Sequence, residues 1–143
     1  PEAKALSANF TSNRGKLPWP VERGIIVSPY GEQPHPVLSG VTIRNDGIDI
    51  ATQKGAIARA CFEGQVSAVI RIPGAGRAVV IRHGEYLTVY GNLNEVYVAQ
   101  GQTVATKELI GTVRTDGADD QTVLQFQLWK GSSKQNPEPW LFK

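Results

Sequence analysis

The chain has 143 residues, a length that suits a single domain able to bury a core without disulfides. The formal net charge is +2 and there is no lysine or arginine run, so the sequence does not indicate nucleic-acid binding. No window of ~18 apolar residues is available to cross a membrane. The single cysteine, Cys61, cannot form an internal disulfide, and its apolar neighbours predict a buried thiol.

Residues 1–17 are predicted to be a lead-in segment, and residues 18–143 a single domain. The prolines at positions 18 and 20 disfavour a helix around them, and no segment shows a helical period of helix length. The chain contains no methionine and begins at Pro1. We therefore expect a piece of a longer protein, with any targeting signal upstream.

From residue 21 onward, short runs rich in valine, isoleucine, threonine and tyrosine are separated by glycines. Runs of this length and composition are typical of β-strands. The predicted strands are 24–27, 64–70, 77–82, 85–90, 95–98, 109–114 and 122–129. The sequence thus predicts an all-β or β-dominated fold.

The last predicted strand has two different faces, because alternate side chains of a strand point in opposite directions. One face is apolar and belongs in a core: Leu124, Phe126 and Leu128. The other face lines whatever lies opposite the core: Val123, Gln125 and Gln127. After this strand, the prolines at 137 and 139 end regular structure, and we expect Trp140 to pack back onto the body.

Three short motifs carry the functional signal. Residues 45–49 read Asn-Asp-Gly-Ile-Asp, residues 90–93 read Tyr-Gly-Asn-Leu, and residues 123–126 read Val-Leu-Gln-Phe. Other fragments flank them in order, among them Pro-Tyr-Gly at 29–31 and Asn-Pro-Glu-Pro-Trp at 136–140. In order and spacing the series resembles the lysostaphin/LytM-type peptidase domain over roughly residues 18–142.

The resemblance implies an antiparallel β-sheet or sandwich with an open groove, of the duplicated-hybrid-motif type. Active members of that family cut peptide cross-links of bacterial peptidoglycan with one zinc ion in the groove. The ligand positions carried over to this chain are Asn45, Asp49 and Gln125. The positions that assist the activated water are Asn92 and Val123. Only Asp49 retains the residue type that the active family uses.

These substitutions predict that the zinc chemistry is lost. Zinc prefers imidazole, thiolate and carboxylate ligands, and a catalytic site uses three of them plus water. Two neutral amides and one carboxylate make a poor zinc site, and neither Asn92 nor Val123 can serve as a general base. We expect no zinc, no other cofactor and no catalytic residue. The two histidines, His35 and His83, are expected to be framework residues.

A branch of the family with this kind of loss, the EnvC-like and NlpD-like LytM factors, binds and activates cell-wall amidases during daughter-cell separation. The resemblance therefore implies a pseudo-enzyme in the periplasm or cell envelope, whose partner is a cell-wall amidase. Two alternatives stay open at this point. One is a module that binds peptidoglycan directly, and the other is a zinc endopeptidase with residual activity.

The residues expected to line the groove come from the motifs and from neighbouring positions. Tyr86 and Tyr90 alternate along one strand, and they can either face the groove or fill the core. Arg44 and Arg77 are candidates for a polar rim, with plain solvated surface as the alternative. Asp49 can hold the structure together or contact a ligand. The full predicted set is Arg44, Asn45, Asp49, Arg77, Tyr86, Tyr90, Asn92, Val123, Gln125 and Gln127.

Overall fold

The computed structural model describes residues 2–34, 37–73 and 76–142, with side chains from residue 5 onward. Strands dominate this part of the chain. One α-helix precedes them, α1 (Glu2–Ser12), and a short 3-10 helix follows them, η1 (Glu138–Trp140). The strands are β1 (Ile25–Ser28), β2 (Gly31–Pro34), β3 (Thr42–Asn45), β4 (Ile48–Thr52), β5 (Ile57–Arg59), β6 (Gly64–Arg71), β7 (Arg77–His83), β8 (Tyr86–Val96), β9 (Thr103–Val104), β10 (Leu109–Val113), β11 (Thr122–Lys130) and β12 (Ser133–Gln135).

Ten of the described strands form one sheet, and every pairing in it is antiparallel. The order along the sheet is β1-β4-β11-β8-β7-β6-β9, with β10 bonded to β8 and β5, and β12 bonded to β11. Strands β2 and β3 form a separate antiparallel pair. The predicted all-β, antiparallel fold is confirmed.

No helix was predicted from the sequence, and this prediction is wrong. Helix α1 spans eleven residues of the lead-in. Its apolar contact with the body comes from the half-buried Leu6 and the fully buried Phe10, one helical turn apart. So few apolar positions give no readable period, and the helix depends on tertiary packing for its stability. Leu17 is also fully buried. The lead-in thus contributes to the same core as the residues that follow it.

The sequence located the longer strands but missed the shorter ones. The runs predicted at 85–90 and 95–98 belong for the most part to a single strand, β8, which ends at Val96. Strands β2, β3, β4, β5, β9 and β12 were not predicted, since each has only two to five residues. Strand β2 reads Gly-Glu-Gln-Pro and has no β-branched residue.

The core lies on one face of the main sheet. The three apolar side chains predicted for it on β11 are fully buried: Leu124, Phe126 and Leu128. Trp140 packs back onto the body as predicted, with its ring 5.2 Å from that of Phe10 and 5.3 Å from that of Tyr86. The two faces of β11 differ in burial. The face away from the core carries Val123, Gln125 and Gln127.

A buried hydrogen-bonded chain crosses the core beside these rings. The Nδ1 of His83 lies 2.7 Å from the carbonyl oxygen of Glu63, so Nδ1 is the protonated nitrogen. Its Nε2 therefore accepts from the hydroxyl of Thr88 at 2.7 Å. The Thr88 oxygen lies 2.9 Å from the hydroxyl of Tyr90, which in turn accepts from the backbone N–H of Cys61 at 3.0 Å. His83 is a framework residue, as predicted.

Burial determines the protonation states of His83 and Cys61 in this hydrogen-bonded series. It lowers the pKa of His83 to about 4, against 6.5 for an exposed imidazole, so the ring is neutral at pH 7. It also raises the pKa of the Cys61 thiol to about 12. The buried thiol predicted for Cys61 is confirmed. His35, the other histidine, lies outside the described residues.

Candidate functional site

The register of three strands brings the degenerate ligand positions together. Asp49 on β4 pairs directly with Gln125 on β11, and Gln125 pairs on its other side with Gly91 on β8. Directly paired residues of antiparallel strands project from the same face of a sheet. Asn45, at the end of β3, reaches the same point through a hydrogen bond to Asp49. These three side chains line one cavity of about 350 Å³.

Asn45 is held in one orientation by four hydrogen bonds. Its Oδ1 accepts from the backbone N–H of Gly47 at 3.2 Å. Its Nδ2 donates to Oδ1 of Asp49 at 3.3 Å, and to both the hydroxyl and the carbonyl oxygen of Ser28 at 3.3 and 3.4 Å. The amide therefore ties β1 to β4 and presents N–H groups, which have no free lone pair, to the Asp49 carboxylate.

The glycine of the first motif is required by close packing. A Cβ at Gly47 would lie 2.1 Å from the carbonyl oxygen of Phe126 and 2.8 Å from Cγ of Gln127. No side chain fits at such distances, so the turn after Asn45 can approach β11 only with glycine. This close approach brings the turn after Asn45 against β11, so that Asn45 and Gln125 line the same cavity.

Asp49 has no cationic partner among the described residues. Burial raises the pKa of its carboxyl group above the ordinary value, and the hydrogen bond from Asn45 opposes that rise without cancelling it. Gln125, its neighbour across the strand pair, is exposed and makes no side-chain hydrogen bond within the described residues. The cavity therefore offers one half-buried carboxylate and one free amide to whatever enters it.

Charged side chains form one rim of the cavity. Asp46 accepts a hydrogen bond from Nζ of Lys134 at 2.9 Å, and the Nε of Arg44 lies 3.5 Å from the same oxygen. The Lys134 hydrogen bond is the main reason why the pKa of Asp46 is lowered. Beside them, Gln127 accepts from Nε1 of Trp129 at 2.9 Å. Arg44 and Gln127 both line the cavity.

Asn92 and Val123 lie beside the cavity rather than in it. Asn92 adopts a left-handed backbone conformation with φ of 64°, which asparagine tolerates better than most residues. Its Nδ2 donates to the carbonyl oxygen of Val123 at 2.7 Å and extends the contact between β8 and β11 beyond their last ladder pair. The Asn92 amide therefore holds β11 in place. The Val123 side chain is half-buried, on the face away from the core.

An apolar surface continues from the cavity along the face away from the core. Val89 pairs with Val80 on one side and Gln127 on the other, while Leu87 pairs with Trp129. Val123 pairs with Ala51 on β4. All the apolar members are half-buried. We call this surface the groove floor, and its members are Ala51, Val80, Leu87, Val89, Val123 and Trp129.

Two tyrosines predicted as possible groove residues belong to the core instead. Tyr90 is fully buried with its ring 5.4 Å from that of Phe126, and Tyr86 is 5% exposed and stacks on Phe10 at 4.6 Å. Alternation along β8 explains this result, because Leu87 and Val89 occupy the opposite face. The groove placement of the tyrosines is therefore wrong, and the alternative placement in the core is right.

Arg77 does not join the Asn45–Asp49–Gln125 cavity. It lines a separate cavity with Arg71 and Arg114. In the other direction, the structure adds residues that sequence reasoning missed, namely Ser28, Gln33, Ile43, Asp46 and Lys134. Gln33 and Ile43 are paired on the short strands β2 and β3, which carried no strand signal in the sequence. Lys134 had no sequence signal, since its contact with Asp46 spans 88 positions.

A family model for peptidase family M23 matches residues 44–137. The chain belongs to this family. It is 32% identical to the murein hydrolase activator EnvC of Escherichia coli over 129 residues, covering 90% of this chain and 29% of that protein. It is 30% identical to the cell division protein DipM of Caulobacter vibrioides over 121 residues, covering 83% of this chain and 19% of that protein. The chain thus spans less than a third of the curated relatives that it matches.

Solved structures agree with this assignment. The M23 domain described here superposes on Helicobacter pylori Csd3 with a TM-score of 0.74 and 26% identity, covering 92% of this chain and 38% of that chain. No helix in the described residues is long and apolar enough to cross a membrane. The family assignment makes zinc the ion to test against this site.

The side chains of this M23 domain do not fit zinc. Asp49 supplies a carboxylate, but Asn45 turns its N–H groups toward that carboxylate and has its oxygen occupied by Gly47. Gln125 adds only a neutral amide. No group of three His, Cys, Asp or Glu side chains that could hold a metal occurs in residues 2–34, 37–73 and 76–142. We therefore derive no chemical step through a metal at this site.

Proposed function

We propose that this domain is a non-catalytic M23 domain that binds a cell-wall amidase and activates it for peptidoglycan remodelling during daughter-cell separation. The single observation that carries the proposal is the donor set at the family's metal position. There, the amides of Asn45 and Gln125 stand beside Asp49 at the bottom of an open cavity. The proposal places the domain in the periplasm or cell envelope, where peptidoglycan lies.

Two further observations support a protein partner. EnvC is named a murein hydrolase activator and DipM a cell division protein, and both align with most of this chain. The groove floor is apolar and joins a polar cavity with a charged rim of Arg44, Asp46 and Lys134. An apolar centre with a polar rim is the usual composition of a protein-binding surface.

The experiment is an amidase stimulation assay with two groove variants. In Val123→Glu, a carboxylate on the groove floor would have to be desolvated when the partner docks, so stimulation should be lost. In Gln125→Arg, an exposed position gains a bulky cation at the mouth of the cavity, and stimulation should again fall. The matched control is Val69→Glu, at a valine on β6 that is 37% exposed. Val69 pairs with the core residue Val79, so its side chain lies on the face of the sheet opposite the groove floor. Circular dichroism and thermal unfolding verify that all three variants fold.

Each outcome points to one function. Stimulation lost in both groove variants and kept in the control supports amidase activation through the groove. Unchanged stimulation in folded Val123→Glu and Gln125→Arg would contradict it. Retention on purified peptidoglycan without any protein partner would favour the peptidoglycan-binding alternative. Metal-dependent cleavage of cross-links that disappears in Asp49→Ala would favour the residual peptidase.

A further inference from the structure

Three arginines from different parts of the sheet converge on a cavity separate from the groove. Arg71 ends β6, Arg77 begins β7, and Arg114 follows β10. All three line a cavity of about 580 Å³, together with Ile72, Leu93 and Asn94. We call this site the arginine cavity. It shares no lining residue with the Asn45–Asp49–Gln125 cavity.

The positive charge of the arginine cavity is uncompensated. Arg71 and Arg77 are paired directly opposite each other on β6 and β7, an arrangement in which like charges repel. Ion pairs within the described residues involve Asp46 and Asp120, and none of them includes an arginine of this cavity. The described residues also provide no hydrogen-bond acceptor for these three guanidinium groups. The fold thus concentrates three cations without supplying an anion.

The backbone fixes the position of this cluster. The backbone N–H of Arg114 donates to the carbonyl oxygen of Asn92 at 2.9 Å, which ties the half-buried Arg114 to β8. On the other side, Gly76 has a φ of 75°, and a Cβ there would lie 2.5 Å from the carbonyl oxygen of Leu93. This close approach brings the start of β7 against β8. Two of the three guanidinium groups therefore extend from anchored backbone.

We propose that the arginine cavity binds an oxyanion ligand with two negative charges, either a phosphate group or a pair of carboxylates. Arginine presents its N–H groups in a planar fork that matches carboxylate and phosphate oxygens in pairs. A ligand with two charges relieves the repulsion between Arg71 and Arg77 and leaves Arg114 free to contact a second oxygen. The amide of Asn94 adds a neutral donor at the same site.

This site is independent of the proposed amidase activation, because it uses none of the groove residues. The test follows the side-chain Nε–Hε signals of arginine by NMR while inorganic phosphate or glutarate is added in separate titrations. Sodium chloride at matched ionic strength measures simple screening of surface charge. The expected result is saturable shifts of Arg71, Arg77 and Arg114, with a dissociation constant below about 10 mM. Saturation by phosphate alone or by glutarate alone identifies which oxyanion the cavity takes.

Single variants then test the geometry. Arg114→Gln and Arg77→Gln should each raise the dissociation constant at least fivefold, because each removes a charged fork from the site. Arg23→Gln is the matched control, since Arg23 is exposed and lines a different cavity. Shifts that grow linearly with phosphate and glutarate, or that match those in sodium chloride, would overturn the proposal. Equal affinity in Arg114→Gln and the unchanged protein would overturn it as well.

Discussion

At the scale of single residues, small changes of side-chain chemistry decide what the cavity can hold. Asn45 is close in size to histidine but differs in what it offers to a metal. Its oxygen accepts from Gly47 and its N–H groups bond Ser28 and Asp49, so the amide serves the backbone and the carboxylate. Gln125 has no such partners within the described residues, and this leaves it available for a ligand.

Restoring imidazole at two positions should restore the metal. The double variant Asn45→His, Gln125→His would place two imidazoles beside Asp49, a ligand set that zinc prefers. After zinc loading and desalting, elemental analysis should find about one zinc per chain in the double variant and far less than one in the unchanged protein. Adding Asp49→Ala to the double variant is the control, and it should abolish retention. Stoichiometric zinc in the unchanged protein would refute the account of this site.

The buried hydroxyl of Tyr90 gives a second residue-scale prediction. Tyr90→Phe removes the acceptor for the backbone N–H of Cys61 and leaves that donor buried without a partner. We expect the free energy of unfolding, measured by urea denaturation, to fall by about 1–3 kcal/mol. Tyr97→Phe is the control, because Tyr97 is 47% exposed and should change stability little. Equal stability of the two variants would contradict the hydrogen-bonded chain described above.

At the scale of elements, helix α1 packs against the sheet through one aromatic side chain and through hydrogen bonds from its C-terminal half. Phe10 contacts the rings of Phe62, His83, Tyr86 and Trp140. The hydroxyl of Ser7 accepts from the backbone N–H of Glu85 at 2.7 Å. An element held this way should behave as part of the core and not as a loose extension.

Replacement of Phe10 tests that role. Phe10→Ala should lower the free energy of unfolding by about 3–5 kcal/mol, because a fully buried ring is replaced by a cavity. Asn9→Ala, at an exposed position of the same helix, should have little effect. Urea denaturation of both variants measures the difference. A loss below that of an ordinary surface substitution would mean that α1 does not contribute to the cooperative core.

The sequence was informative where a strand is long and one of its faces is apolar. The alternation of Leu124, Phe126 and Leu128 with glutamines identified both faces of β11. On β8 both faces carry large side chains, so alternation alone could not assign Tyr86 and Tyr90 to the core or to the groove. The prediction that distant motifs cluster at one site came from the family resemblance. Contacts such as Lys134 with Asp46 depend on chain topology, which local patterns do not encode.

At the scale of the whole molecule, the buried imidazole of His83 links folding to pH. In the folded chain its pKa is about 4, below the ordinary value of 6.5. Between these pH values the unfolded chain binds more protons than the folded chain, so stability falls as the pH is lowered through this range. The contribution is present above pH 6.5 and is fully lost below about pH 4.

The expected loss of stability from His83 is about 3 kcal/mol between pH 6.5 and pH 4. The raised pKa of Asp49 acts in the opposite direction, because the folded chain binds its proton more readily. Urea denaturation at several pH values measures the slope, and His83→Gln, which cannot titrate, should flatten it. His35 is present in both proteins and serves as an internal control. An equal slope in the variant would show that His83 does not carry the effect.

The most direct test of the central claim compares the domain alone, a cell-wall amidase alone and their mixture on purified peptidoglycan, with mass spectrometry of the released fragments. A domain that activates but does not cut should release nothing by itself. In the mixture, the amount of amidase products should be about fivefold or more above that released by the amidase alone. Fivefold is the low end of the effect that binding at one site usually has on another site. Cross-link fragments released by the domain alone, and suppressed by a metal chelator, would contradict the account.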